Sequence, residues 1–233
     1  MRNELATFAM LSALALPAQS GSLSRVTEAL PNLGAPPQGA TQWVAKSMRM
    51  NGLPMTIKVF ESRLTPDAVL SHYETSVKTS GAHDSRRTTN APWQVLMLRS
   101  PDHFITVHAR AVAHGSEGTI LVSPAIEPAS VRMRSDFPRP ASTRIVNLQQ
   151  YDDDGVLSEH ISLSSNRASF TELQDFSQLL IGEGWSVIDT RPTLEVQRGF
   201  VLEVQRQAEH ALLVIVPNAA QPATTAIAVT WRK

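Results

Sequence analysis

"TQWVAKSMRMNGLPMTIKVFES", residues 41–62, holds two strand-like runs on either side of Asn51-Gly52. Both turn residues tolerate positive φ, so Asn-Gly between such runs is the strongest short-range hairpin signal. The pattern returns further along the chain, where "TRIVNLQQY" (143–151) and "VLSEHISLS" (156–164) flank "DDDG", and Asp154-Gly155 stands 103 positions after Asn51-Gly52. A helix is expected after each hairpin. Thr65-Pro66-Asp67 supplies a cap, a proline for the first helical position and an early acid, and Val69, Tyr73 and Val77 recur at helical spacing until Gly81. Ser169 to Glu172 reads as a Ser-x-x-Glu capping box, followed by the stripe Leu173, Phe176, Leu180 and a stop at Gly182 or Gly184.

Three further strands close each half. "WQVLMLR", "HFITVHARA" and "GTILVS" meet "FVLEVQR", "HALLVIVPN" and "TAIAVT" at an offset of 107, and the four residues gained lie within "WSVIDTRPTLEVQRG" (185–199), an insertion with room for an added strand. The ordered correspondence reads as an internal duplication. The expected fold class is therefore α+β: two tandem copies of a small module, strand-strand-helix-strand-strand-strand, each an antiparallel sheet with one helix on a face. The expected organisation is a signal peptide over 1–20, a flexible tail over 21–40, a first module over 41–123, a proline-rich linker over 124–142 and a second module over 143–233.

Within the repeat, "RSPDHF" (99–104) is answered by "RQAEHA" (206–211), an Arg-x-x-acid-His pattern written twice. It falls between strand-like runs, so the reading is a duplicated hairpin turn whose charged pairs set register. Arg99, Asp102, His103, Arg206, Glu209, His210 and Trp93 are the candidate binding residues. A catalytic reading would make His103 and His210 general bases oriented by Asp102 and Glu209, but no nucleophile accompanies them. No catalytic residue, metal site or cofactor is expected: Gly-x-Ser-x-Gly and phosphate-binding glycine loops are absent, His103 and His108 would point to opposite faces of one strand, and "DDDG" lacks the remaining ligands of a calcium loop.

Lys plus Arg and Asp plus Glu both number 21, so no global field favours nucleic acid or an anionic membrane. The opening "MRNELATFAMLSALALPAQSGS" has a short charged start, an apolar stretch and a small-residue exit, the layout of an export signal and too short for a comfortable membrane span. With no cysteine in the chain, disulfides, lipid acylation and thiolate chemistry are excluded. The expectation is a non-enzymatic periplasmic or secreted protein that binds or scaffolds a protein partner through a sheet edge or face, as an accessory of a bacterial envelope assembly. The alternative is a small-molecule or glycan binder using the groove between the halves, with Trp and Arg lining it; a hydrolase-type enzyme ranks below both.

Overall fold

The computed structural model describes residues 30–79, 81, 84–126, 131–153, 155–193, 199–218 and 221–233. The expected signal peptide and the first part of the tail lie outside these residues. The first half of the chain forms β1 (Gly39–Met50), β2 (Leu53–Ser62), α1 (Pro66–Thr79), β3 (Asp84–Asn90), β4 (Trp93–Arg99), β5 (His103–Val112) and β6 (Gly115–Pro124). The second forms β7 (Thr143–Asp153), β8 (Val156–Ser165), α2 (Ser169–Gly182), β9 (Ser186–Pro192), β10 (Phe200–Arg206), β11 (Glu209–Asn218) and β12 (Gln221–Arg232).

These strands make one sheet, in the order β3-β4-β5-β6-β2-β1-β7-β8-β12-β11-β10-β9, with every recorded pair antiparallel. The expected class is overturned. Strands hold 59% of the chain and helices 15%, and a single twelve-stranded sheet with two helices replaces two tandem modules with separate sheets. The reason lies at the first strand of each half. β1 and β7 leave backbone groups unpaired on one side, and they satisfy them on each other through Met48↔Tyr151, Arg49↔Gln150 and Met50↔Gln149. Asn51 extends this seam: its backbone N–H donates to Leu148 O (2.7 Å), while its Oδ1 accepts from Leu148 N–H (2.8 Å).

Each half also holds six strands rather than five. β3, "DSRRTTN", and β9, "SVIDTRP", are the outermost strands. Neither has a buried residue, so neither shows the alternation by which a strand announces itself.

Both helices lie on one face of the sheet, over two separate cores. Val69, Leu70, Tyr73 and Val77 of α1 pack on Phe60, Leu96, Leu98, Ile105, Val107, Ile120 and Val122. Leu173, Phe176 and Leu180 of α2 pack on Leu148, Ile161, Leu163, Leu202, Val204, Leu213, Ile215 and Val229. The capping box expected at the start of α2 is not formed. Ala168 occupies the N-cap position with no side-chain cap bond, and the buried Glu172 carboxylate instead accepts from Ser165 Oγ at 2.5 Å.

The two proline-rich stretches run along this same face as straps. In the expected tail, Leu30 and Leu33 join the first core, Tyr73 Oη donates to Gly34 O (2.9 Å), and Ser62 Oγ donates to Pro37 O (2.9 Å). Lys58 is buried beneath this strap, donating to Asn32 Oδ1 (2.5 Å) and Leu33 O (2.8 Å) over the Trp43 ring, and burial pulls its pKa down. The linker does likewise: Phe137 packs against both Trp185 and Trp231, and Ser135 Oγ donates to buried Glu159. Proline stiffens both straps without requiring ladder partners. Helix and strap thus cover one face together, and no described element covers the other.

Candidate functional site

The two Arg-x-x-acid-His copies take opposite faces of the sheet. In the first hairpin the buried pair Leu98↔Ile105 precedes Arg99↔Phe104, so Arg99 stands on the open face, its guanidinium 5.5 Å from the Phe104 ring centre. In the second, the buried residues are Val204↔Ala211, and two steps on Arg206↔Glu209 returns to the helix-bearing face. Cross-strand pairing and burial align the halves here at an offset of 106, placing Gln205, not Arg206, opposite Arg99 in the comparison. An offset of 107 slips the register by one residue, and a one-residue slip exchanges the faces.

The chemistry diverges with the geometry. Arg206 lies 4.8 Å from the Trp185 ring centre, donates to both Glu209 oxygens (3.1 and 3.2 Å) and reaches Glu183 O at the end of α2 (3.2 Å). Glu209 also accepts from Trp231 Nε1 (3.0 Å), and His210 meets Glu203 across the ladder (Nε2 to Oε1, 2.8 Å). This copy tethers α2 to the last strands. In the other copy, Asp102 is exposed and its carbonyl accepts from Ala125 N–H (2.7 Å), while His103 is held through its backbone by Ser100. His103 lines a cleft of about 710 Å³ with Asn32, Leu33, Val77 and Ser100. Six strands lie between β5 and β11, so the two turns stand roughly 34 Å or more apart along the sheet at about 4.8 Å per inter-strand spacing. The seven candidate residues therefore do not form one site.

Trp93 leads to a different constellation. Register places it in a row across five strands of the open face: Asn90, Trp93, Arg110, Glu117, Glu61. Arg110 lies 4.9 Å from the Trp93 ring centre and pairs with Glu117, its Nε at 2.7 Å. Glu61 has no ion pair or side-chain hydrogen bond among the described residues, leaving an uncompensated carboxylate at the end of the row. A pocket of about 260 Å³ lies here, between Trp93, Val59, Thr119 and the two glutamates. It shares Glu61 and Glu117 with a larger cleft, about 870 Å³, which runs past Gln38, Arg63, Ala113 and His114 at the strand ends.

Three more rows stack beneath: Thr88, Val95, His108, Thr119, Val59; then Arg86, Met97, Thr106, Leu121, Ile57; then Asp84, Arg99, Phe104, Ser123, Met55. Their middle is an apolar strip left partly in solvent, with Phe104 41% and Val59 36% exposed. His108 packs against Trp93 at 6.3 Å between ring centres, and burial lowers its pKa, so it stands neutral at pH 7. Toward the sheet centre the strip reaches Met48 and Met55, ringed by Met50, Leu53, Ile57 and Tyr151. Of this surface the sequence flagged Trp93, Arg99 and the hairpin; Glu61, Glu117 and Arg110 become a row only when register is known.

The remaining sequence features resolve individually. Arg87, within the basic "DSRRTT", binds α1 through Asp67 (2.7 Å), Ser71 (2.9 Å) and Glu74 (2.7 and 3.0 Å). Asp152 caps its own hairpin, accepting from Gly155 N–H (3.1 Å). Among the described residues no cluster of three His, Asp or Glu side chains is placed to hold a metal ion, and no helix is long and apolar enough to cross a membrane. Comparison of the chain with family models, with curated proteins and with solved structures returns no match.

Proposed function

We propose that this chain is an exported, non-enzymatic binding protein that holds a protein partner against the open face of its sheet. The observation that carries the reading is the apolar strip through Val95, Met97, Phe104, Leu121, Val59 and Ile57, bounded by the unpaired Glu61. Partly solvated apolar surface of this extent on a sheet marks a contact area. The partner that fits presents an apolar ridge with a Lys or Arg beside it, which would meet Glu61 as Arg110 meets Glu117.

The face is a better contact than the edges. β3 carries Asp84, Arg86 and Arg87, and β9 carries Asp189, Arg191 and Pro192. Charges and proline on outer strands oppose strand addition. The non-catalytic part of the proposal is supported by the separation of the two histidine motifs and by the ladder roles of Arg206, Glu209 and His210. Export rests on the N-terminal sequence, and the lack of cysteine excludes a lipid-acylated form.

The test is photo-crosslinking in the native cell, with a benzophenone side chain placed at Val59 or Met97 on the open face or at exposed Thr75 on α1. A discrete adduct is expected from the first two positions and not from Thr75, and Phe104→Glu, an exposed position, should abolish it in a protein whose melting curve is unchanged. Adducts of equal yield from Thr75, or none from the open face, would refute the reading. An adduct of twice the chain's own mass would replace the foreign partner with a second copy.

A further inference from the structure

The helix-bearing face carries a second feature at the seam between the halves, independent of the open face. Pro54, Arg49 and Gln150 stand side by side on β2, β1 and β7, as the floor of a groove of about 490 Å³. The linker strap forms its wall, contributing Val131, Arg132, Arg134 and Asp136. Three arginines and one aspartate thus line the groove, in a chain whose formal charges cancel overall. Arg134 reaches Asp136 at 3.6 Å. Arg49 and Arg132 make no ion pair or side-chain hydrogen bond among the described residues, so the groove keeps a local positive excess.

The strap is fixed in this position by backbone contact. A Cβ on Gly52 would stand 2.4 Å from Arg132 O and 3.0 Å from the Val131 side chain, so the strap lies directly on the β1–β2 turn, which Gly52 enters with φ +88°. Gln150 Nε2 also donates weakly to Arg134 O (3.4 Å). Arg132 is therefore presented to the groove from a seated backbone and Arg49 from the central strand of the sheet. Positions held by packing need less ordering on binding than free surface side chains do.

We propose that this groove binds a ligand through a phosphate group. Guanidinium groups match the paired oxygens of phosphate bidentately, and converging arginines from separate segments favour a multiply charged anion over a single carboxylate. The volume is in the range of small-ligand sites, and Pro54, Ile126 and Val131 give the remainder of the ligand an apolar wall. The phosphate could belong to a soluble phosphorylated compound or to a lipid headgroup, and the two sources separate experimentally.

The experiment titrates inorganic pyrophosphate into the full chain by calorimetry, at ionic strengths of about 10 mM and about 150 mM, across which the Debye length falls from roughly 30 to roughly 8 Å. In parallel, flotation is measured with vesicles of phosphatidylcholine with and without phosphatidylglycerol. Saturable binding is expected, weakened about tenfold or more by Arg49→Ala and by Arg132→Ala, and unchanged by Arg144→Ala elsewhere on β7. Gly52→Ala, which displaces the strap without removing any arginine, should weaken it as well. Pyrophosphate binding identifies a soluble ligand; flotation alone, lost in the same variants, identifies a headgroup. Absence of both, or binding that survives in the Arg49→Ala/Arg132→Ala double variant, would overturn the proposal.

Discussion

Glu74 shows how one side chain fastens an outer strand. It accepts from Lys78 Nζ (2.8 Å), Ser85 Oγ (2.8 Å) and Arg87, whose Nη2 lies at 2.7 Å, so this carboxylate, beside Asp67 and Ser71, fastens α1 to β3. Those donors hold its pKa at about 2, below the ordinary 4.5. A depressed carboxylate pKa means the folded state binds fewer protons than the unfolded one. The stabilisation is fully present above about pH 4.5 and is lost as pH falls toward about 2. Glu74→Gln should lower stability at pH 7 by about 1 kcal/mol, the usual value for charged hydrogen bonds discounted for partial exposure. It should also flatten the acid limb over that window, as urea titrations at successive pH values would show.

At the scale of elements, register decides what each strand presents. β6 contains Gly118 opposite Phe60 on β2 and Ala109 on β5. A Cβ there would meet His108 O at 1.8 Å and the Phe60 ring at 2.7 Å, so the first core closes over this position with no space for a methyl group. Gly118→Ala should destabilise the fold by about 1–3 kcal/mol, as overpacking does, read as a lower urea midpoint. The β4–β5 and β10–β11 hairpins show the opposite kind of sensitivity. Ser100 N–H donates to His103 O (2.9 Å), so both hairpins turn on two residues, Pro101-Asp102 and Gln207-Ala208, and it is the one-residue difference in where the motif meets the turn that sends it to opposite faces. Identity of residue type could not reveal this, because the repeat in the sequence is one residue out of step with the repeat in the ladder.

The whole molecule has one sheet but two main cores, joined by three cross-strand pairs, the Asn51 bonds and a small buried cluster of Ala45, Met48 and Met55 at the seam. The backbone ladder at the seam is therefore short compared with the ten-residue pairing of β7 with β8. Asn51→Gly keeps the positive φ that the turn requires (53°) and removes only the side-chain bond to Leu148. It should cost about 1 kcal/mol of coupling and separate the unfolding of the two halves into distinguishable urea transitions, followed by Trp93 fluorescence for the first half and Trp185 and Trp231 fluorescence for the second. A single transition at the wild-type midpoint would show that the hydrophobic cluster around Met48, Met55 and Tyr151 alone carries the coupling.

Local chemistry in the sequence determined a great deal of this. Asn51-Gly52 and Gly155 mark the two hairpin turns, Thr65-Pro66-Asp67 and Gly81 bracket α1, and alternating apolar residues mark β4, β5, β10 and β11, because turn conformations and amphipathic periods are properties of a few adjacent residues. β3 stayed hidden because outer strands bury nothing and need no pattern, and β9 showed only as an insertion in the repeat, not by any pattern of its own. The joining of the halves was equally hidden: β1 and β7 could have met separate partners, and only their unpaired backbone groups, brought together in three dimensions, select each other. The same holds for the two surfaces proposed to bind. Glu61 and Glu117 lie 56 positions apart and Arg49 and Arg132 lie 83 apart; cross-strand register and the seating of a strap on Gly52 bring each pair together, and neither relation is carried by any local stretch of the chain.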